Sequence, residues 1–217
     1  MSFVSQFFHR FREKVPGERV WALMGVGCYI WREDEPPISF PSYRLVSLPG
    51  REAQLHLECL EKPFPRYRLV YESIVFDDET AIRALRDGEF DPLQVVILDR
   101  AWTFPVSVGM PFSPTIQLLS REPEAISFRV QTPQTGFLVV GDPWYPGWRA
   151  RVDGQPVPVL RAYTALRAVP LTPGDHIVQL CYQPVSFYLG LALSGLSLSG
   201  LVVWVLSPSG PHHRRHK

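Results

Sequence analysis

Between Gly141 and Val157 the chain reads GDPWYPGWRARVDGQPV, which sets two tryptophans, a tyrosine, two arginines and two carboxylates among repeated turn residues. Aromatic rings stack on sugar faces, and guanidinium forks hold hydroxyls or phosphates. Asp142, Trp144, Tyr145, Trp148, Arg149 and Arg151 therefore form a candidate carbohydrate-binding set. The same residue types also build an ordinary corner of a β-sheet. Asp153-Gly154 lies between two alternating runs and tolerates the positive φ values of a two-residue turn, so a hairpin is expected there. Its alternation places Trp148, Ala150 and Val152 on one face and Arg149 and Arg151 on the other, with Pro146-Gly147 throwing Trp144 and Tyr145 onto a loop.

Other chemistry-bearing residues read more simply. Asp77, Asp78 and Glu79 suggest a metal or catalytic cluster, but acids in the first turn of a helix satisfy free N–H groups and the helix dipole. His176 follows Asp175 in a turn, yet no Gly-x-Ser-x-Gly elbow accompanies it, which argues against a hydrolase. His212, His213 and His216 sit on a polar tail. Cys28, Cys59 and Cys181 are odd in number and far apart, so neither a full disulfide framework nor a four-ligand zinc site is written here. One disulfide stays open in an oxidising compartment. No catalytic residue, metal site or cofactor is expected in this chain.

The 217 residues suffice for one sizeable core, and 22 basic against 21 acidic residues leave no field to attract nucleic acid. Twenty-two prolines disfavour long soluble helices. From Phe187 to Leu206 runs FYLGLALSGLSLSGLVVWVL without Asp, Glu, Lys or Arg. At 1.5 Å per residue this matches a bilayer core of about 30 Å, and Tyr188 and Trp204 lie near its ends, where amphipathic rings settle. Gly190 and Ser194, and Gly195 and Ser199, are small residues at helical spacing that suit neighbouring transmembrane helices. The tail bears Arg214, Arg215 and Lys217, which by the positive-inside rule places 207–217 in the cytoplasm and the large N-terminal part outside. The start has no signal-peptide pattern, so that orientation is simplest if the chain is the end of a longer multi-span protein.

The elements that position the aromatic cluster are short runs of β-branched and aromatic residues between turn signals. Strands are expected at 23–31, 43–48, 53–58, 67–76, 95–98, 115–119, 125–131, 136–140, 148–152, 157–161, 165–169 and 176–182. In Ala125 to Gln131 the apolar residues fall at even numbers, so one face is buried. One soluble helix is expected, capped by Asp77 or Asp78, with Ala81, Ile82 and Leu85 facing the sheet and Gly88 closing it. The expected fold is thus mainly β: an antiparallel β-sandwich-like domain over 20–183 with one short covering helix, preceded by a segment 1–19. A single C-terminal transmembrane α-helix over 187–206 and the basic tail follow.

The run YPGWRARVDGQPVPVLRAYTALRAVPLTPGDHIVQLCYQPVSFYLGLALS resembles the C-terminal end of the bacterial membrane protein YfhO family: a Tyr-x-Pro-Gly-Trp hairpin with Val-Asp-Gly, an Arg-Ala-Val strand, a Gly-acid-His turn, and Tyr-x-Pro leading into a terminal span. Upstream, FPRYRLVYESIVFDDETAIRALRDGEFDPLQVVILD is similar to the preceding family segment, so the resemblance extends from about Arg19 onward. It implies a relative of the C-type glycosyltransferases in a bacterial cell membrane, which transfer sugars from lipid-linked donors to envelope polymers such as lipoteichoic acid. The family's presumed catalytic acids lie in an early outer loop with no counterpart here, so this chain is expected to supply the outer β-domain and last span. Expected partners are the lipid bilayer, further transmembrane helices of a multi-span partner or missing N-terminal part, and a lipid-linked sugar or envelope glycan. The alternative is a membrane-anchored carbohydrate-binding or structural β-module without catalytic activity.

Overall fold

The computed structural model describes residues 22–32, 43–48, 55–60 and 64–206. The expected segments 1–19 and 207–217, with His212, His213 and His216, lie outside them. In chain order the strands begin with β1 (Cys28–Arg32), β2 (Tyr43–Leu48), β3 (Leu55–Leu60), β4 (Tyr67–Val70) and β5 (Glu72–Val75). Helix α1 (Asp78–Asp87) is followed by β6 (Val95–Leu98), β7 (Thr115–Arg121), β8 (Ala125–Thr132) and β9 (Gly136–Pro143). Then come β10 (Trp148–Val152), β11 (Gln155–Val157), β12 (Leu160–Ala162), β13 (Leu166–Leu171), β14 (Gly174–Tyr182) and α2 (Val185–Leu206). The described residues fall into two units, one ending at Tyr182 and the other starting at Gln183.

In the first unit the strands form a three-stranded sheet ordered β1-β3-β2, a five-stranded sheet ordered β11-β10-β14-β8-β7, and a six-stranded sheet ordered β4-β9-β13-β12-β6-β5. The five- and six-stranded sheets make the sandwich. Ile126, Phe128, Val130, Val178 and Leu180 from one meet Leu138, Val140, Val169 and Leu171 from the other in a single buried cluster. The opposite side of the six-stranded sheet, with Phe137, Val139, Leu166 and Ala168, is covered by Ala81, Ala84 and Leu85 of α1. β9 and β13 are therefore covered on both faces, which is why they read as nearly unbroken apolar runs instead of alternating ones. β8 has one covered face, and its even-numbered residues are the buried ones.

Helix α1 owes its ends to local chemistry. The Asp77 carboxylate accepts from the N–H groups of Glu79 and Thr80, both at 3.0 Å, and Gly88 closes the helix in the left-handed region at φ 72°. These hydrogen bonds, offered chiefly by the Thr80 N–H and hydroxyl, hold the Asp77 carboxyl below its ordinary range. Asp78 pairs instead with Arg161 at 2.8 Å. Both acids are thus engaged structurally, and no group of three or more possible metal ligands occurs among the described residues.

The structure departs from the sequence expectation at three places, one of them the expected strand 157–161, which is divided between β11 of the five-stranded sheet and β12 of the six-stranded sheet. Ala22 and Leu23 form a helical turn, so the first strand starts only at Cys28. The expected strand 67–76 is two strands with different partners: β4 pairs antiparallel with β9, and β5 pairs parallel with β6. The parallel pair exists because α1 supplies the crossover that a tight turn cannot. β4 and β5 also stand at opposite edges of the six-stranded sheet although Tyr71 alone separates them. In a flat sheet those edges would lie about 24 Å apart, whereas two residues of chain reach only about 7 Å. The sheet is therefore curled until its edges meet on the continuous stretch 67–75.

Tyr163 fastens this arrangement. It is fully buried, and its hydroxyl lies 2.7 Å from the Pro92 carbonyl and 3.0 Å from that of Val95, tying the β12–β13 turn to the start of β6. Burial pushes its phenol up to about 12. Tyr163 and Thr164 both adopt positive φ (47° and 67°), an unusual conformation for side-chain-bearing residues that the surrounding packing must hold. Cys28 is disulfide-bonded, its neighbour across the β1–β3 ladder is Cys59, and Cys181 is a free thiol.

The second unit consists, among the described residues, of α2. Its 22 residues carry no charge and span about 33 Å at helical rise. Val185–Trp204 is long and apolar enough to cross a membrane, and none of that window is buried. A helix apolar on every side and left uncovered by the described residues matches a lipid environment. Ser199 donates its hydroxyl to the Gly195 carbonyl at 2.8 Å, which satisfies the polar group within the helix.

Candidate functional site

The Asp153-Gly154 hairpin is the local element that presents the aromatic cluster. Asp153 and Gly154 take φ values of 51° and 80°, as a type I′ turn requires, and Ala150 pairs with Val157 across it. The Asp153 carboxylate then accepts from the Ile177 N–H at 2.8 Å and lies 2.7 Å from His176 Nδ1, whose Nε2 is 2.9 Å from the Thr172 carbonyl. Partial burial pushes the Asp153 carboxyl upward, but the His176 and Ile177 hydrogen bonds outweigh it and hold the group below its ordinary range. Asp175 is clamped by Arg129 at 2.7 Å and by Gln131 at 3.1 Å, and these bonds draw its carboxyl down to about 2. Asp153, His176 and Asp175 therefore lock the turns of β10 and β14, with both ring nitrogens of His176 engaged.

On the other end of β10 the chain builds a cleft of about 660 Å³. It is lined by Arg121, Glu122, Asp142, Tyr145, Trp148, Arg167 and Tyr182, with Pro123, Ile126 and Pro143 as apolar wall. A cleft of this size, with aromatic walls and a few convergent charges, is the usual form of a small-molecule site. Asp142 sits at the end of β9 with its side chain 11% exposed, and three guanidiniums converge on it. Arg167 Nη2 lies 3.0 Å from its Oδ2, Arg66 pairs with its Oδ1 through both Nε and Nη2, and Arg121 Nη2 stands 3.8 Å from the same oxygen. Arg167 also covers one face of the Trp148 ring, its guanidinium carbon 3.8 Å from the ring centroid. Burial pulls the Arg167 guanidinium down to about 10, opposed by the attraction of Asp142, so it stays charged at neutral pH. Its Nη1 is buried without a hydrogen-bond partner among the described residues.

Of the six residues singled out in the sequence, Asp142, Tyr145 and Trp148 come together in this cleft. Trp144, Arg149 and Arg151 do not line it. Trp144 packs against the sandwich core and directs its indole N–H to the Val159 carbonyl at 3.4 Å, because its backbone N–H is fixed to the Ala165 carbonyl at 2.6 Å. Arg149 and Arg151 project from the exposed face of β10, where Arg151 donates to the Gly154 carbonyl. Trp148, moreover, has one ring face already occupied by Arg167. The residues that local reading passed over are Arg66, Arg121, Arg167 and Tyr182. Arg167 alone left a trace: it is the one charge in the buried run LRAVPL of β13, and a charge in such a run must be paired.

These residues fall within a recognisable segment. Residues 114–194 match the family model of the bacterial membrane protein YfhO. The YfhO match takes in β7 to β14 and the start of α2, and with them every residue named as lining the cleft. Arg66 lies upstream of the matched segment. The family description and the apolar helix agree on a membrane location. No curated protein and no solved structure matches the chain.

Proposed function

We propose that this chain is the outer β-module and last span of a YfhO-like multi-span membrane protein that transfers sugars from lipid-linked donors to cell-envelope polymers. The module binds and guides the sugar-bearing ligand, and the catalytic acids belong to other spans. The observation that carries this reading is the cleft between Asp142, Arg167, Tyr145 and Tyr182, which lies wholly in the YfhO-matched segment. Guanidiniums beside aromatic faces suit a sugar with polar or charged substituents. The Cys28 disulfide and the free, uncharged surface of α2 support a module outside the cytoplasm with its helix in the bilayer. In this arrangement the tail 207–217 is cytoplasmic and the small residues of α2 meet partner helices.

Coexpression with an adjacent multi-span polypeptide tests the reading: co-purification in detergent is expected, and a chain that remains alone and stable counts against it. A second reading, a membrane-anchored carbohydrate-binding module without a catalytic partner, is favoured by one observation, that the cleft is complete within the first unit. Titration of envelope glycans against the full chain and its Tyr145→Ala and Tyr182→Ala variants addresses the binding role common to both. Equal affinity in variants and parent removes that role.

A further inference from the structure

The charges of the cleft do not cancel. Arg121 and Arg167 in its lining, with Arg66, which pairs with Asp142 from outside the lining, make three guanidiniums against the carboxylates of Asp142 and Glu122, which leaves one positive charge in excess around the cleft. Arg66 and Arg167 are committed to Asp142 through their close contacts. Arg121 is not: at 3.8 Å from Asp142 it lies beyond hydrogen-bonding distance, and its side chain is 48% exposed. Arg167, with a side chain only 5% exposed, contributes a further nitrogen, Nη1, that has no hydrogen-bond partner among the described residues. A buried donor left unsatisfied costs the fold stability, so its retention beside a cleft points to a ligand acceptor.

We propose that this cleft binds a phosphodiester group, held between Arg121 and Arg167, with the organic substituents of the diester lying along Tyr145 and Tyr182. A diester carries one negative charge, equal to the excess, and its paired oxygens match a guanidinium fork. A bare ion would leave most of the roughly 660 Å³ empty, whereas a diester with groups on both sides fills it. Asp142 is the positioning residue that orients Arg167. This deepens the binding role given above by naming the charged part of the ligand, and it stands or falls without any sugar being present.

The test is binding of dimethyl phosphate and of diethyl phosphate to the full chain in nanodiscs, read by calorimetry and by the change in intrinsic tryptophan fluorescence that Trp148→Phe removes. In phosphatidylcholine nanodiscs saturable binding of the diester is expected, with diethyl phosphate the tighter. Arg121→Gln is expected to weaken it at least about tenfold, the factor that corresponds to losing one charge-assisted hydrogen bond, while Arg121→Lys retains part of it. Arg121 is exposed enough that its replacement leaves the fold intact, and circular dichroism of the variant verifies this. If phosphatidylglycerol nanodiscs abolish binding of the soluble diester in the parent but not its residual binding in Arg121→Gln, the lipid headgroup is the source of the group. Unaltered binding assigns it to a ligand outside the bilayer. Acetate or glucuronate binding as tightly as the diesters, or no loss in Arg121→Gln, overturns the proposal. Failure of glycans to bind while the diesters do would remove the sugar-binding reading and leave this site standing.

Discussion

The guanidinium of Arg167 lies over the Trp148 ring, its central carbon 3.8 Å from the centroid, while its Nη2 reaches Asp142 at 3.0 Å. An aromatic face and a carboxylate thus share one cation that is almost withdrawn from water. The pair joins β13 of one sheet to β10 of the other at the edge of the core, so the residues that shape the cleft also close the sandwich.

Removing the carboxylate leaves that cation uncompensated. Asp142→Asn is expected to lower unfolding stability by about 3–5 kcal/mol, the usual consequence of breaking a buried ion pair from one side. Chemical denaturation of the full chain in detergent measures it. A loss below about 1 kcal/mol would mean that Arg66 and Arg167 find other partners.

Gly141 and Gly154 differ in an instructive way. A Cβ at Gly154 meets nothing within 4 Å, so Gly154→Ala pays only for φ 80°, about 1–2 kcal/mol. At Gly141 a Cβ would lie 2.9 Å from the Met24 carbonyl oxygen and 3.0 Å from that of Arg66, both backbone atoms. Gly141→Ala is expected to destabilise more than Gly154→Ala and to loosen the Arg66–Asp142 contact beside it. Thermal melts of the two variants rank them, and an equal shift contradicts the close approach.

Asp175 sets an acid-side dependence. Its folded carboxyl, drawn down to about 2 by Arg129 and Gln131, binds fewer protons between about pH 4 and 2 than the same group in the unfolded chain. Its contribution is therefore fully present above that window and is lost as pH falls through it. Stability profiles of the parent and Asp175→Asn should converge toward pH 2 and separate above pH 4. Parallel profiles would show that the pairing with Arg129 is not maintained in solution.

The cysteines report on the compartment. With Cys28 disulfide-bonded and Cys181 free, denaturing the unreduced protein in a thiol-reactive polyethylene glycol should add one label, at Cys181, and prior reduction should add labels at all three cysteines. A shift on a gel separates these outcomes. Three labels without reduction would place the β-module in a reducing compartment.

The helix makes the membrane location testable. Leu198→Arg at mid-span should oppose insertion by about 2.5–3.5 kcal/mol and move the chain from the carbonate-resistant membrane fraction toward the soluble one. Leu198 is 63% exposed, so the change disturbs no packing among the described residues. A variant that stays fully membrane-bound would argue that other contacts hold it there.

Much of this architecture is written locally. Asp77 and Gly88 bound α1 because each acts on backbone groups within a turn of itself. Asp153 and Gly154 fix a hairpin because two adjacent φ angles suffice, and the even-numbered residues of β8 announce their buried face through a period of two. The uncharged stretch 187–206 announces a span by length and composition alone, and α2 exceeds it by two residues at its start. The site is less legible. Asp142, Tyr145 and Trp148 stand close in sequence and meet in space, but Trp144, with the same chemistry, is drawn into the core by the β13 edge.

The sequence by itself determined most of the strand segments, the turns at Asp153-Gly154 and Gly88, and one apolar helix long enough to span a membrane, since each depends on interactions among near neighbours. The tertiary structure alone decided that 67–75 joins the two edges of a curled sheet, and that Arg66, Arg121 and Arg167 converge on one carboxylate. Arg66 is 76 residues from Asp142 along the chain. Long-range strand pairing brings such residues together, and it leaves no mark on the residues that flank Arg66 or Arg121.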